Sequence, residues 1–223
     1  NLLLGSVSIP FASVWNILTG GEGDPVAWQN IILKSRLPQA LTALVAGAGL
    51  SISGLQMQTI FRNPLAGPSV LGISSGASLG VAFVVLLSGQ LGGVALSRLG
   101  FIGEVALSIA AIAGALSVMG LIVLASRKVA GSVTLLIIGV MIGYIANAVI
   151  GVLKFFSVEE DIKAYVIWGL GSFARVSGNQ MMLFVTIMAV IIPLSFLLIK
   201  PLNLLMLGDG YARNLGLNIH LSL

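Results

Sequence analysis

Long apolar runs broken by short polar, glycine-rich or proline-rich stretches set the plan of this chain. The runs fall at about 37–61, 70–88, 101–125, 133–153 and 181–199. Each is close to the roughly 20 residues that a helix needs to cross a bilayer core about 30 Å thick. The pattern therefore predicts five spanning helices. Residues 1–35 are mixed, a mildly apolar beginning followed by the turn-rich TGGEGDP. Between the last two runs lies SVEEDIKAYVIWGLGSF, too polar at its start and too short to cross. Its Ser157-Val-Glu-Glu160 spacing predicts a capping box, with acids where the helix dipole favours them, and so a short re-entrant or interfacial helix.

The break FRNPLAGP, 61–68, stands between two of the most apolar runs. Pro64 and Pro68 cannot continue a helix, Asn63 can satisfy backbone groups freed at a turn, and Arg62 belongs at the interface. A tight membrane turn is expected, with a part in gating as the alternative. Small residues recur at four-residue spacing: Gly72, Gly76 and Gly80; Gly139 and Gly143, continued by Asn147 and Gly151; more loosely Gly47, Ser51 and Gly54. That spacing puts them on one helix face, where missing side chains let backbones approach. The stripes fit tight bundle packing, or a smooth wall along a path for a solute.

Composition agrees with a membrane chain. Of 223 residues 57% are hydrophobic and 8% charged, with mean hydropathy +1.10. Soluble domains carry roughly 25% charged residues, so this chain could not coat a water-facing surface. The net charge is +4, but the basic residues are scattered singly, with no basic face for nucleic acid. With no cysteine and one histidine, His220, neither a disulfide nor a His/Cys metal site is open to the chain. No GxxxxGK[ST] loop is present for ATP. The first residue, Asn1, and the closing NIHLSL suggest a piece of a longer protein.

Charge does not orient the spans. If loops alternate sides, Arg62, Arg127, Lys128, Lys200 and Arg213 oppose Lys34, Arg36, Arg98, Lys154, Lys163 and Arg175. That is too even for the positive-inside rule. Glu104 is the one isolated carboxylate near a span, and its nearness to Arg98 places it at the interface rather than in a proton path. The segment after Lys200-Pro201, LNLLMLGDGYARNLGLNI, is too polar to re-enter lipid. Proline should end the fifth span there. Two short helices around a glycine turn are expected, near 203–207 and 209–215, with Gly216 as C-cap and Asp209 and Arg213 as an i,i+4 pair. Leu207, Ala212 and Leu215 would form an apolar face with no membrane to bury it, which marks a partner surface.

Three blocks carry a resemblance. The first is RLPQALTALVAGAGLSISGLQMQTIFRNPLAGPSVLGISSGASLG, the second WGLGSF at 168–173, and the third NLLMLGDGYARNLGLNI at 203–219. In order and along essentially the whole chain, they resemble the permease subunits of ABC importers for iron-siderophores, haem and cobalamin. The resemblance implies an all-α polytopic helix bundle in the bacterial inner membrane. It also implies a subunit of about ten helices, of which this chain runs from the end of the first to the beginning of the seventh. The whole of 1–223 would be one transmembrane permease domain, with 200–219 a cytoplasmic coupling segment.

Roles follow from the same resemblance. FRNPLAGP, SRKVAGS and LGDGYARNLG would face the cytoplasm, Arg36 and the EEDIK helix the periplasm. Arg36, with Lys34 nearby, would dock a periplasmic or lipid-anchored substrate-binding protein; the family's second arginine is Gln39 here, which weakens a two-arginine scheme. Gly76, Ser78, Gly139 and Asn147 would line the path, and Gly131, Ser132 and Val133 would form the cytoplasmic gate. Leu207, Gly208, Asp209, Ala212, Arg213, Leu215 and Gly216 would meet a separate ATP-binding subunit. A second permease subunit, identical or not, completes the expected assembly. No cofactor, metal or catalytic residue of its own is implied. The cargo is expected to be an iron chelate, with haem or cobalamin as alternatives. Outside the class, an ion-coupled secondary transporter would favour midplane charges and repeated halves, which the sequence lacks; a membrane scaffold would explain the glycine stripes but not GDGYARNLG.

Overall fold

The structure, a computed structural model, describes residues 2, 3, 5–21, 23–88, 101–129, 131–176 and 178–216. Among these residues there are ten α-helices and no strand. They fall into two compact units, one from 1–52 and 172–203, the other from 53–171 and 204–223.

The first unit begins with α1 (Phe11–Leu18) and α2 (Val26–Ile31). Pro10 precedes α1, where its fixed φ suits a helix entry. Val14 and Ile17 pack with Ile9 and Ile32, while Phe11 and Trp15 stay on the outer face. The first span starts earlier than the pattern suggested. Helical structure runs unbroken from Val26 to Phe61, 36 residues, and an 18-residue stretch within it reaches a mean hydropathy of 1.4. Pro38 explains how it passes through: it has no N–H to offer the Lys34 carbonyl, and the preceding turn, Ile32–Arg36, widens to a π-helix. The Leu37 N–H bonds the Ile32 carbonyl instead, and α3 (Leu37–Phe61) continues with Pro38 buried in its first turn.

Also in this unit is α8 (Gly178–Ser195), which contains Pro193 and passes through a 3-10 turn at Phe196–Leu198 into α9 (Ile199–Met206). The expectation that Pro201 ends the fifth span is corrected here. Pro201 sits in the first turn of α9, where backbone N–H groups lack intrahelical partners in any case, so the helix runs on to Met206.

In the second unit α4 (Ile73–Ser88) is central, antiparallel to α5 (Phe101–Ser126) and parallel to α6 (Ser132–Phe156). Glycine decides this packing. A Cβ on Gly76 would stand 2.7 Å from the Gly114 carbonyl oxygen, and one on Gly80 would overlap the Ala110 carbonyl. On the other side, a Cβ on Gly72 would stand 2.6 Å from the Gly139 oxygen. Lipid supplies no hydrophobic drive between helices, so such backbone approaches are what hold them together. Above them Val81, Ala82, Val85 and Leu86 form a buried cluster with Ile150 and Tyr165.

The short α7 (Glu159–Gly169) has 11 residues, about 16 Å at 1.5 Å per residue, half a bilayer core. The capping box at its start does not form. Val158 is the N-cap, and Ser157 closes α6 instead, its hydroxyl donating to the Leu153 and Leu86 carbonyls at 2.6 and 3.2 Å. Only one residue separates the two helices beyond Ser157, so its side chain faces the helix just ended. The Glu159, Glu160 and Asp161 carboxylates still occupy the favourable first turn.

Four helical stretches, Val26–Phe61, Gly103–Ser126, Val133–Phe156 and Gly178–Met206, are long and apolar enough to cross a membrane. With the shorter α4 they make an all-α, polytopic membrane bundle.

Candidate functional site

The second unit brings three breaks in the chain to one end. Ala66 and Leu71 from the 62–72 turn are buried against Val118 and Ile122 near the end of α5 and Leu136 near the start of α6. Residues 127–129 and Gly131 lie at that same end, directly after α5 and directly before α6. The end of α9 is there too: the Arg62 guanidinium donates to the Leu205 carbonyl at 3.0 Å, and Leu205 is buried. The opposite end carries α7. These are the groupings the resemblance implied for the FRNPLAGP, SRKVAGS and LGDGYARNLG segments against EEDIK.

The 62–72 turn is stiffened internally. Gln58 Nε2 donates to the Pro64 carbonyl at 3.0 Å, the Leu65 N–H to Asn63 Oδ1 at 2.9 Å, and the Ala66 N–H to the Asn63 carbonyl at 3.0 Å. An open cleft of about 400 Å³ lies beside it, lined by Leu55, Gln58, Thr59, Arg62, Asn63, Pro64 and Met206.

Beyond α9 the chain turns at Gly208, φ 102°, into α10 (Asp209–Asn214), and Gly216 follows with φ 86°. Both values are in the left-handed region that glycine enters freely, which is why a helix can end and the next begin within two residues. The helix pair expected from the sequence is present, its first member longer at the N-terminal side. Leu207 and Leu215 are exposed, 60% and 61%. The side chains of Asp209, Ala212 and Arg213 lie outside the described part, and with them the expected Asp209–Arg213 pair. Residues 217–223, which include His220, and 89–100, which include Arg98, also lie outside it.

Of the residues expected along a path, Gly76 and Gly139 are buried in the helix contacts just described. Ser78 is half-buried and hydrogen-bonds Tyr165, while Asn147 is exposed on α6. Sequence reasoning missed Gly114 and Ala110, the partners of the Gly76–Gly80 face; their own four-residue spacing was the available signal. At the expected gate, Gly131 has φ 108° and precedes α6, and Val133 is 67% exposed; the Ser132 side chain lies outside the described part.

At the α7 end, the Lys154 ammonium stands 4.7 Å from the Tyr165 ring centroid. Burial raises the Tyr165 phenol above its ordinary pKa, with the Ser78 hydrogen bond acting the other way. Asp161 is also raised, first by burial and then by the like charge of Glu160. In the first unit Arg36 is buried, 7% exposed, and its guanidinium donates to the Leu2 carbonyl at 2.9 Å and to the Val7 carbonyl. Lys34 is exposed, and Gln39 Nε2 donates to Ser35 Oγ at 3.0 Å. Among the described residues no group of acidic, histidine or cysteine side chains is arranged to hold a metal.

The geometry is that of a multi-spanning membrane protein, with loops and a short helix pair gathered at one end of the second unit. Comparison with known proteins gives the family. The FecCD transport family matches residues 1–222. The hemin transport system permease protein of Yersinia pestis is 33% identical over 217 residues, 97% of this chain and 61% of that protein. The vitamin B12 import system permease protein of Serratia proteamaculans is 33% identical over 228 residues, covering 99% and 65%. The iron chelatin transport system permease protein of Helicobacter pylori is 40% identical over 191 residues, covering 84% and 53%. An inward-facing metal-chelate type ABC transporter superposes with TM-score 0.78 at 28% identity, over 98% of this chain and 63% of that one. The chain thus spans 53–65% of the length of these relatives. It belongs to the FecCD transport family and is a multi-pass protein of the bacterial inner membrane.

Proposed function

We propose that this chain is part of the membrane-spanning subunit of a binding-protein-dependent ABC importer, and that its cargo is an iron chelate. The observation that carries the importer reading is the α9–α10 pair. It gives a membrane chain two exposed leucines where a span ends, Leu207 in the turn between the two helices and Leu215 directly after the second. Such a surface suits a protein partner better than water or lipid, and family membership points to an ATP-binding subunit. That subunit would hydrolyse ATP; this chain would only translocate.

On this reading the end holding the 62–72 turn, the 127–131 connection and residues 200–219 faces the cytoplasm, and α7 faces the periplasm. Gly131, Ser132 and Val133 form the cytoplasmic gate, where a glycine turn and small side chains permit closure. Leu207, Gly208, Asp209, Ala212, Arg213, Leu215 and Gly216 are the coupling surface. The path runs past Ser78 and Asn147, with Gly76 and Gly139 as the close contacts that keep its wall thin. Lys34 and Arg36 lie in the docking region for the substrate-binding protein, Lys34 offering charge directly and Arg36 holding the segment beside it. A second permease subunit completes the path. The iron-chelate cargo is favoured by the 40% identity to the Helicobacter pylori protein, against 33% for the hemin relative and 33–37% for vitamin B12 relatives.

The test is uptake by the full-length protein, assembled with its ATP-binding subunit and binding protein in proteoliposomes. Radiolabelled ferric siderophore, hemin and cyanocobalamin would be offered in turn. ATP-dependent accumulation of the ferric siderophore is expected. Uptake of one of the other two would move the cargo, and uptake driven by an ion gradient without ATP would remove the importer reading.

A further inference from the structure

Arg62 has a left-handed backbone, φ 46°, and among the described residues no other non-glycine residue does. An L side chain is crowded in that conformation, and glycine would make the same turn without the crowding. What the side chain supplies is the bond to Leu205, a residue 143 positions further along the chain. The Leu205 carbonyl also accepts the Gly208 N–H at 3.1 Å, so the guanidinium caps the end of α9 where that helix turns toward α10. A cation there also meets the negative end of the helix dipole.

The other side of the turn is fixed to α6. Its internal bonds, through Gln58, Asn63 and Pro64, make residues 58–66 one stiff piece. From there Ala66 and Leu71 are buried against Leu136, and the Gly72 backbone against that of Gly139. Leu136 and Gly139 stand in the first two turns of α6, directly after Gly131. A continuous line of bonded or close-packed groups therefore leads from the end of α9 to the beginning of α6, and its first link is one arginine.

We infer that Arg62 is a positioning residue that transmits displacement of the α9–α10 segment to the start of α6. The inference rests on the importer reading, in which an ATP-binding subunit moves the first and the second borders the gate. Coupling is a response at one end to an event at the other, and that is what the test measures.

The 223 residues contain no cysteine, so replacing any cysteine elsewhere in the full-length protein by serine leaves a single reporter thiol. Thr134→Cys, exposed in the first turn of α6, would be placed in the full-length protein, assembled with its ATP-binding subunit in proteoliposomes. Its labelling by a water-soluble maleimide would be timed with and without ATP plus vanadate. Arg62→Gly keeps the left-handed turn and removes the link; Arg62→Lys keeps a donor cation. With Arg62 present, trapping should change the labelling rate. In Arg62→Gly that change should shrink about fivefold or more, the lower bound of ordinary coupling. Thermal stability and unstimulated ATP hydrolysis should stay at or above the level of the unmodified protein, and Arg62→Lys should restore most of the response. A full response in Arg62→Gly would overturn the inference. So would a lowered melting temperature with no recovery in Arg62→Lys, which would make the bond part of the fold only. Absence of any ATP-dependent change with Arg62 in place would instead fail the importer reading, and the inference with it.

Discussion

The Lys154 ammonium lies 4.7 Å from the centroid of the Tyr165 ring, joining the last turn of α6 to the middle of α7. A cation over an aromatic face contributes about 0.5–2 kcal/mol, the more so where water is partly excluded. The same tyrosine is buried in the cluster that contains Val81, Leu86 and Ile150. Tyr165→Leu should therefore lower unfolding stability in detergent by about 1–2 kcal/mol. Tyr165→Phe, which keeps the ring and loses only the bond with Ser78, should cost less than about 1 kcal/mol. Thermal or denaturant unfolding of the purified variants checks this; equal losses would show that the hydroxyl, not the ring, matters.

The α4–α5 contact should tolerate no side chain. Gly80→Val would drive a branched Cβ into the Ala110 carbonyl, with backbone on both sides and nothing flexible to give way. A loss of about 1–3 kcal/mol or more is expected, read as a lower melting temperature and poor monodispersity. Gly120 on the same helix as Gly114 has open space around it. Gly120→Ala should be neutral, or stabilising by up to about 1 kcal/mol from helix propensity.

Arg36 and Lys34 separate holding from docking. Arg36→Ala removes the bonds to the Leu2 and Val7 carbonyls, so protease cleavage within residues 2–9 should become faster while the rest of the chain resists. Arg36→Glu should impair transport by weakening association with the binding protein, leaving basal ATP hydrolysis in place. Lys34→Glu acts on an exposed charge; its loss should be smaller, about 0.2–1 kcal/mol, and should vanish at high salt. Unchanged affinity in both glutamate variants would take this region out of the docking surface.

Sidedness can be read with single cysteines at Leu65, Arg127, Glu160 and Gly210. Labelling of 65, 127 and 210 from the cytoplasmic side and 160 from the periplasmic side is expected, since α7 occupies the end opposite the other three. Position 160 reacting from the same side as the rest would refute the five-crossing map.

Ala212→Arg tests the coupling surface by adding bulk and charge to α10. Stimulation of ATP hydrolysis by the loaded binding protein and transport should both be abolished, while the protein still inserts and purifies. Normal stimulation with normal assembly would place the contact elsewhere.

The spans were legible because a helix in lipid must satisfy its backbone internally and cover itself with apolar side chains. That leaves a run of hydrophobic residues of readable length: α3 and α5 end within one residue of where those runs do, and α6 three residues beyond. The α9–α10 pair was equally legible, since Gly208 and Gly216 mark turns that other residues rarely make. A proline misled at Pro201, because a missing N–H is harmless where a helix is just beginning. Ser157 misled because a capping pattern can be claimed by the helix behind it.

The sequence by itself determined the membrane class, the spans, the glycine-marked turns and the family. The four-residue glycine spacing declared a packing face but not its partner; only the tertiary structure set Gly76 and Gly80 against Gly114 and Ala110. Only the tertiary structure turned Arg36 toward the Leu2 and Val7 carbonyls, and carried Arg62 to Leu205. The reason is physical: a span's hydropathy is a local property repeated along the chain, whereas a guanidinium can bond any backbone carbonyl brought within about 3 Å, and every residue but its own neighbours offers the same one.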